Sequence, residues 1–196
     1  MKLVPLFAAA AILAVTAPAA LAQQNVNIRG TLSAFDGKVL QIKSNNGQDV
    51  AVNLPENVNI SATKAFTLAD AKPGMMLGVT TIQKEGALVA IDVRPIPPAA
   101  KPGLSPYDLA PQSTMTNAAL EGSVAGSGTQ ELTLNHGGGT VKVMVPPGTP
   151  MSQAVPGARE DLKPGETIYV AARREESGAL TALRVQVSKN GVKPTQ

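Results

Sequence analysis

His136 is the only histidine in this 196-residue chain, which contains no cysteine. It opens His136-Gly137-Gly138-Gly139, a run with the composition of a lipase oxyanion loop. Such a loop serves a serine nucleophile held at a G-x-S-x-G turn, and that pentapeptide does not occur. A transition-metal site needs convergent His, Cys or carboxylate ligands. One histidine and no cysteine predict no common zinc site within one chain. Asp36, Asp49, Asp70 and Asp161 fall singly among turn residues, with no Asp-x-Asp-x-Asp calcium loop. No Gly-rich phosphate loop precedes a helix. These residues predict a non-enzymatic chain with no cofactor and no metal site.

Two other groups carry candidate interaction chemistry. Pro106-Tyr107-Asp108-Leu109 places a rare aromatic beside a carboxylate within a Pro-rich stretch. The stretch reads first as a strap that buries Tyr107 and Leu109 between two domains, with a ligand-contacting loop formed by Tyr107 and Asp108 as the alternative. Arg173-Arg174 offers a paired cationic site for phosphate, but Glu175-Glu176 follows directly, which favours a solvated hairpin tip.

The elements that must position these residues occur twice. Ile28-Arg29-Gly30 returns as Leu120-Glu121-Gly122, Leu40 and Ile42 as Leu132 and Leu134, and Lys72-Pro73-Gly74 as Lys163-Pro164-Gly165. The offset is 92 residues at Gly30 and 91 at Pro73. A period this long marks a duplicated domain, since solenoid repeats run to roughly 20–50 residues. Within each copy the apolar residues alternate, as in Val50, Val52 and Leu54 or Val141, Val143 and Val145, which is the period of strands. Asp36-Gly37 and Asn46-Gly47 read as tight hairpins; Gly126-Ser127-Gly128 and the 137–139 glycines take their places in the second copy. Asp70 and Asp161 precede the two Lys-Pro-Gly turns, where a carboxylate accepts backbone N–H groups.

Each copy therefore predicts five strands with a long connection between the third and fourth, carrying one helical turn (68–71 and 159–162). The fold class is all-β: two tandem small five-stranded OB-like Greek-key barrels joined by a Pro-rich linker, with a small sandwich as the alternative. The expected divisions are a signal peptide at 1–22, repeat one at 23–96, the linker at 97–117, repeat two at 118–190 and a tail at 191–196.

Met1 to Ala22 has the form of an export signal: Lys2, an Ala/Leu/Val-rich run, then Ala20-Leu21-Ala22 before Gln23. No second apolar run approaches the ~20 residues of a membrane span. The reading is periplasmic or secreted, with cleavage near Ala22. Repeat one (27–94) holds seven basic and six acidic residues and repeat two (119–196) eight and seven, so no half is a basic surface. The aromatics after the signal, Phe35, Phe66, Tyr107 and Tyr169, do not recur at matching repeat positions. A duplicated unit without a duplicated stacking platform argues against nucleic acid.

The two Asp-x-Lys-Pro-Gly turns, Pro106-Tyr107-Asp108-Leu109, Ser113-Thr114-Met115-Thr116-Asn117-Ala118 and Val145-Pro146-Pro147-Gly148-Thr149-Pro150 carry a further signal. With the signal peptide, they make the chain resemble a family of uncharacterised exported bacterial proteins with tandem OB-like domains, some of them labelled metal ABC transporter permease. The resemblance covers nearly the whole chain after residue 22 and implies no active site. The permease label conflicts with the absence of a spanning run. The expected function is an exported, non-enzymatic binding or envelope-interaction module. Its partner would be an envelope protein or a small ligand. The alternative is a periplasmic accessory that binds a metal or small solute for an envelope transporter.

Overall fold

The computed structural model describes residues 24–126 and 128–194, so the export signal expected at 1–22 lies outside the described residues. Thirteen strands follow one another: β1 (Gln24–Phe35), β2 (Val39–Ser44), β3 (Asp49–Asn53), β4 (Asn59–Ala65), β5 (Met76–Lys84), β6 (Ala87–Pro95), β7 (Gly103–Tyr107), β8 (Ser113–Ala125), β9 (Gln130–Asn135), β10 (Thr140–Val145), β11 (Ser152–Pro156), β12 (Thr167–Arg174) and β13 (Leu180–Val187). Among the described residues helix is confined to a 3-10 turn at Arg159–Asp161. The alternation predicted from sequence is visible in burial: Leu40, Ile42 and Val52 in one copy, Leu132, Leu134 and Val143 in the other, are all essentially inaccessible.

These strands close two five-stranded barrels. In the first, β1-β2-β3-β13-β12 form a ring that returns to β1, with β3 and β13 parallel. In the second, β8-β9-β10-β6-β5 return to β8, with β10 and β6 parallel. Numbered within a repeat, both rings run 1-2-3-5-4-1, the Greek-key closure of an OB barrel. Leu32, Ile42, Ile168 and Val170 fill the first core; Leu77, Val79, Leu132 and Leu134 fill the second.

The expectation that residues 23–96 and 118–190 each make a barrel is corrected by the pairing. Strands one to three of each repeat close with strands four and five of the other. β1 pairs β12 over eight residues, from Gln24 with Arg174 to Thr31 with Thr167, and β5 pairs β8 from Met76 with Ala119 to Thr81 with Thr114. Two seams of each ring therefore join the repeats. The exchange follows from the connection after strand three. The sequence suggests only a short apolar piece there, around Val58. Instead β4 runs parallel beside β13 on one side and antiparallel to β11 on the other. A seven-residue strand spans roughly 23 Å, and being paired on both edges it cannot double back. It carries the chain from the first barrel to Phe66, which is buried in the second core. β11 is its counterpart, and Thr63 faces Ala154, its own equivalent at offset 91. Antiparallel pairing of equivalent residues is the mark of a two-fold axis, as in a strand-swapped dimer, here within one chain. Gly157 permits the crossing, because a Cβ there would stand 2.7 Å from the Ala62 nitrogen.

Register corrects the repeat alignment as well. Gly74 donates to Leu120 and Gly165 donates to Leu32, and bulges follow Leu32 and Leu120 alike. Leu120 is thus the equivalent of Leu32, not of Ile28, and Gly122 answers to Ala34. The hairpin from strand one to strand two is four residues longer in the second repeat, as the partners of Leu32 (Ile42) and Leu120 (Leu134) require. The Lys-Pro-Gly turns fold as expected. Asp70 accepts from the Thr67 N–H at 2.9 Å, and Asp161 from the Ala158 N–H at 3.0 Å. Hydrogen bonds hold both carboxyls below their ordinary range, from Thr67 for Asp70 and foremost from Lys189 for Asp161.

A protease site inserted at 98–99, an exposed turn in the connection between repeats, tests the exchange. After cleavage in native buffer the two pieces are expected to co-elute as one species and to separate only on unfolding, because each completes the other's barrels. Separation under native conditions would contradict the pairing.

Candidate functional site

The site grows from the joint between the barrels. Arg29 on β1 points outward at a position flanked by the buried Ile28 and by Gly30. It forms a two-pronged ion pair with Asp108, at 2.8 and 3.2 Å, while Asn27 also donates to Asp108 at 3.0 Å. Forked guanidinium–carboxylate pairs fix orientation as well as charge. The Arg29 guanidinium lies 5.7 Å from the Tyr107 ring centre and 5.4 Å from that of Tyr169. Arg94 on β6 lies 5.9 Å from Tyr107, and Arg184 on β13 lies 5.2 Å from Tyr169. Contacts thus run Arg94, Tyr107, Arg29, Tyr169, Arg184, alternating cation and ring from the second barrel through the linker into the first. Each such contact is worth about 0.5–2 kcal/mol, more where water is excluded.

Side-chain hydrogen bonds brace this series. Tyr169, nearly inaccessible, donates its hydroxyl to Asn27 at 2.8 Å, and Arg184 donates to the Tyr169 oxygen at 3.3 Å. Arg94 is paired with Asp92, which is fully buried and also accepts from Thr80 at 3.2 Å. Burial raises the Tyr107 hydroxyl above its ordinary pKa. The hydrogen bond from Arg29, aided by Asn27, outweighs burial and holds the Asp108 carboxyl below its ordinary range.

The linker is ordered by these contacts and by more than them. Its Gly103–Tyr107 segment is a strand, β7, paired antiparallel with β8, rather than the polyproline-like chain its composition suggests. Tyr107 is half-buried against both barrels. Leu109 is also half-buried and lines a cavity of about 480 Å3 with Ile91 of the second barrel and Ile168 of the first.

Tyr107 itself borders a separate cleft of about 470 Å3. Arg94, Tyr107 and Met115 wall it from the second barrel and the linker; Asn59, Arg184 and Gln186 wall it from the first. Pro95, Ile96 and Pro97 form an apolar side. Register shows why the repeat does not duplicate it. Tyr169 stands where the other copy has Gly78, Arg29 where it has Asn117, Arg184 where it has Asp92, and Gln186 where it has Arg94. The repeats agree in their cores and differ around this cleft. A larger depression of about 660 Å3 lies elsewhere, where Phe66, Leu68 and Pro146 meet, and its described lining has no ionisable side chain.

Of the residues singled out from sequence, Tyr107 and Asp108 belong to the joint. Arg173 and Arg174 do not share the cleft. Arg173 pairs with Glu175 at 3.2 Å at the base of the expected hairpin tip, and Arg174 borders a separate depression beside Asp108. Arg29, Arg94 and Arg184 carry no sequence signal beyond an outward-facing place on a strand, and Tyr169 only that of a rare aromatic. Among the described residues no group of three or more His, Cys, Asp or Glu stands close enough to hold a metal ion. None of their helices is long and apolar enough to cross a membrane. No family model, curated protein or solved structure matches the chain.

Asp108→Asn is expected to lower the melting temperature at neutral pH by roughly 2–4 °C, corresponding to about 1 kcal/mol for a charge-assisted pair with a half-exposed partner. The folded-state pKa of Asp108 is depressed, so its contribution is present above the unfolded carboxylate pKa of about 4 and is lost as pH falls through the folded value. The parent and variant should therefore differ most above the unfolded carboxylate pKa and converge as pH falls below the depressed folded value. A difference independent of pH, followed by scanning calorimetry, would show that the charge of Asp108 contributes nothing.

Proposed function

We propose that the protein is an exported binding module, without a catalytic role, and that the cleft between its barrels is the ligand site. One observation carries this reading. The repeats are alike where they build barrels and unlike where they border the cleft, so the pairing of Arg94 and Arg184 beside an apolar wall occurs once among the described residues of a duplicated fold. The volume, about 470 Å3, falls within the range of small-molecule sites, and the stacked Arg94, Tyr107 and Arg184 hold its walls in place before a ligand arrives. Such preorganisation lowers the cost of binding. The resemblance to exported bacterial proteins with OB-like domains fits this role, with the barrels as scaffold and the joint as the recognising element.

Ala154 on β11 is exposed and borders the cleft, so Ala154→Trp fills the space without disturbing either core. A mixed small-molecule fragment library, followed by amide chemical shifts in the parent, is expected to yield hits that move Arg94, Asn117 and Gln186. Ala154→Trp should abolish them. Hits that map outside the cleft, or that survive this variant, would contradict the assignment.

A further inference from the structure

We infer that the cleft takes a small organic anion, its carboxylate or phosphate group held by Arg184 and Arg94 and its apolar body laid along Pro95, Ile96 and Pro97. This rests on the cleft being the binding site and adds the class of ligand.

The charge of the lining points this way. Arg94 and Arg184 are its ionisable side chains besides Tyr107, and no carboxylate is among its described residues. Asp92 is fully buried behind the wall, bound to Arg94 and Thr80. Its charge therefore fixes Arg94 in position instead of facing the cleft.

The two guanidiniums are suited to different tasks. Arg94, with its side chain 12% exposed, is held by Asp92, by the Met115 sulfur at 3.6 Å and by the Tyr107 ring. It supplies a fixed positive wall. Arg184 is exposed, and its contacts include stacking on the Tyr169 ring and a hydrogen bond to the Tyr169 hydroxyl. A guanidinium has five N–H donors in a planar fork, and forks of this kind match the paired oxygens of carboxylates and phosphates. Asn59 and Asn117 in the lining carry amide donors for further oxygens without adding charge. The apolar wall gives no interaction to a bare inorganic ion and a contact surface to an organic one.

Divergence between the repeats sharpens the case. The position of Arg184 is Asp92 in the other copy. One exchange of charge type therefore both supplies the exposed cation and anchors the buried one.

The test titrates the full chain after residue 22 with benzoate, phenyl phosphate, inorganic phosphate and benzamide, following heat and amide shifts, and repeats it with Arg184→Gln. Benzoate or phenyl phosphate should bind saturably and move the amides of Arg94, Asn117, Arg184 and Gln186; which one binds tighter separates a carboxylate site from a phosphate site. Benzamide and inorganic phosphate should bind about tenfold more weakly, and Arg184→Gln should weaken the better anion by about tenfold, the loss of one charge-assisted contact. Should that variant melt early, Arg184→Lys, which keeps the charge but loses the planar fork and the stacking, should still weaken the better anion by about three- to tenfold. Benzamide binding as tightly as benzoate would overturn the anion class while leaving the cleft as the site. Inorganic phosphate binding as tightly as phenyl phosphate would overturn the organic body. Anion binding that is insensitive to Arg184, or that leaves the cleft amides unmoved, would overturn the proposal. Failure of all four probes in the cleft would also overturn it, and the fragment screen with Ala154→Trp then decides whether the cleft binds at all.

Discussion

The paired crossover strands β4 and β11 set the constraint from which the rest of the architecture follows. Each is hydrogen-bonded along its length, so the chain leaving strand three of one barrel is delivered to the other. Strands four and five then have no first barrel within reach and complete the second. A chain of two independent barrels on a Pro-rich tether would leave a mobile interface between them. Exchange replaces it with backbone pairing, and about 70 residues per repeat, near the lower size limit for an independent core, share one interlocked structure.

The cleft follows from the same constraint. Because β1 and β12 belong to different repeats yet are neighbours, Arg29 and Tyr169 lie opposite each other in register. Because β6 and β13 end their rings on either side of the axis, Arg94 and Arg184 border one space. The linker is drawn across this joint, where Tyr107 is inserted between cations from both barrels. The two-fold arrangement would place a like set of residues on the far side of the axis. Substitution at Gly78, Asp92 and Asn117 removes it, so a symmetric scaffold carries an asymmetric site.

Much of this fold is legible in the residues. Alternation in Leu40/Ile42 and Val141/Val143/Val145, the Asp-Gly and Asn-Gly turns and the Lys-Pro-Gly entries mark strands of the right number for two barrels. The partner of each strand is not legible. Leu77 and Val79 on β5 present the same apolar face as Ile168 and Val170 on β12, so pattern alone cannot say which barrel either will close. Sequence similarity and structural equivalence differ by four residues in strand one, because Gly30 and Gly122 each follow a charged residue and an aliphatic one, while hydrogen bonding selects Leu32 and Leu120. The site was half visible. Tyr107 and Asp108 stood out as an aromatic and a carboxylate among prolines. Arg29, Arg94 and Arg184 are ordinary outward-facing strand residues until exchange brings their strands together.

Backbone pairing across the repeats is the claim on which the cleft, the joint and the ordered linker all rest. Inter-strand nuclear Overhauser contacts in solution read it directly. The pairing predicts contacts of Ile28 with Val170 and Gly30 with Ile168, together with Leu77 and Ala118. Contacts of Ile28 and Gly30 with Leu77 and Val79 of their own repeat would instead establish two contiguous barrels and contradict the account.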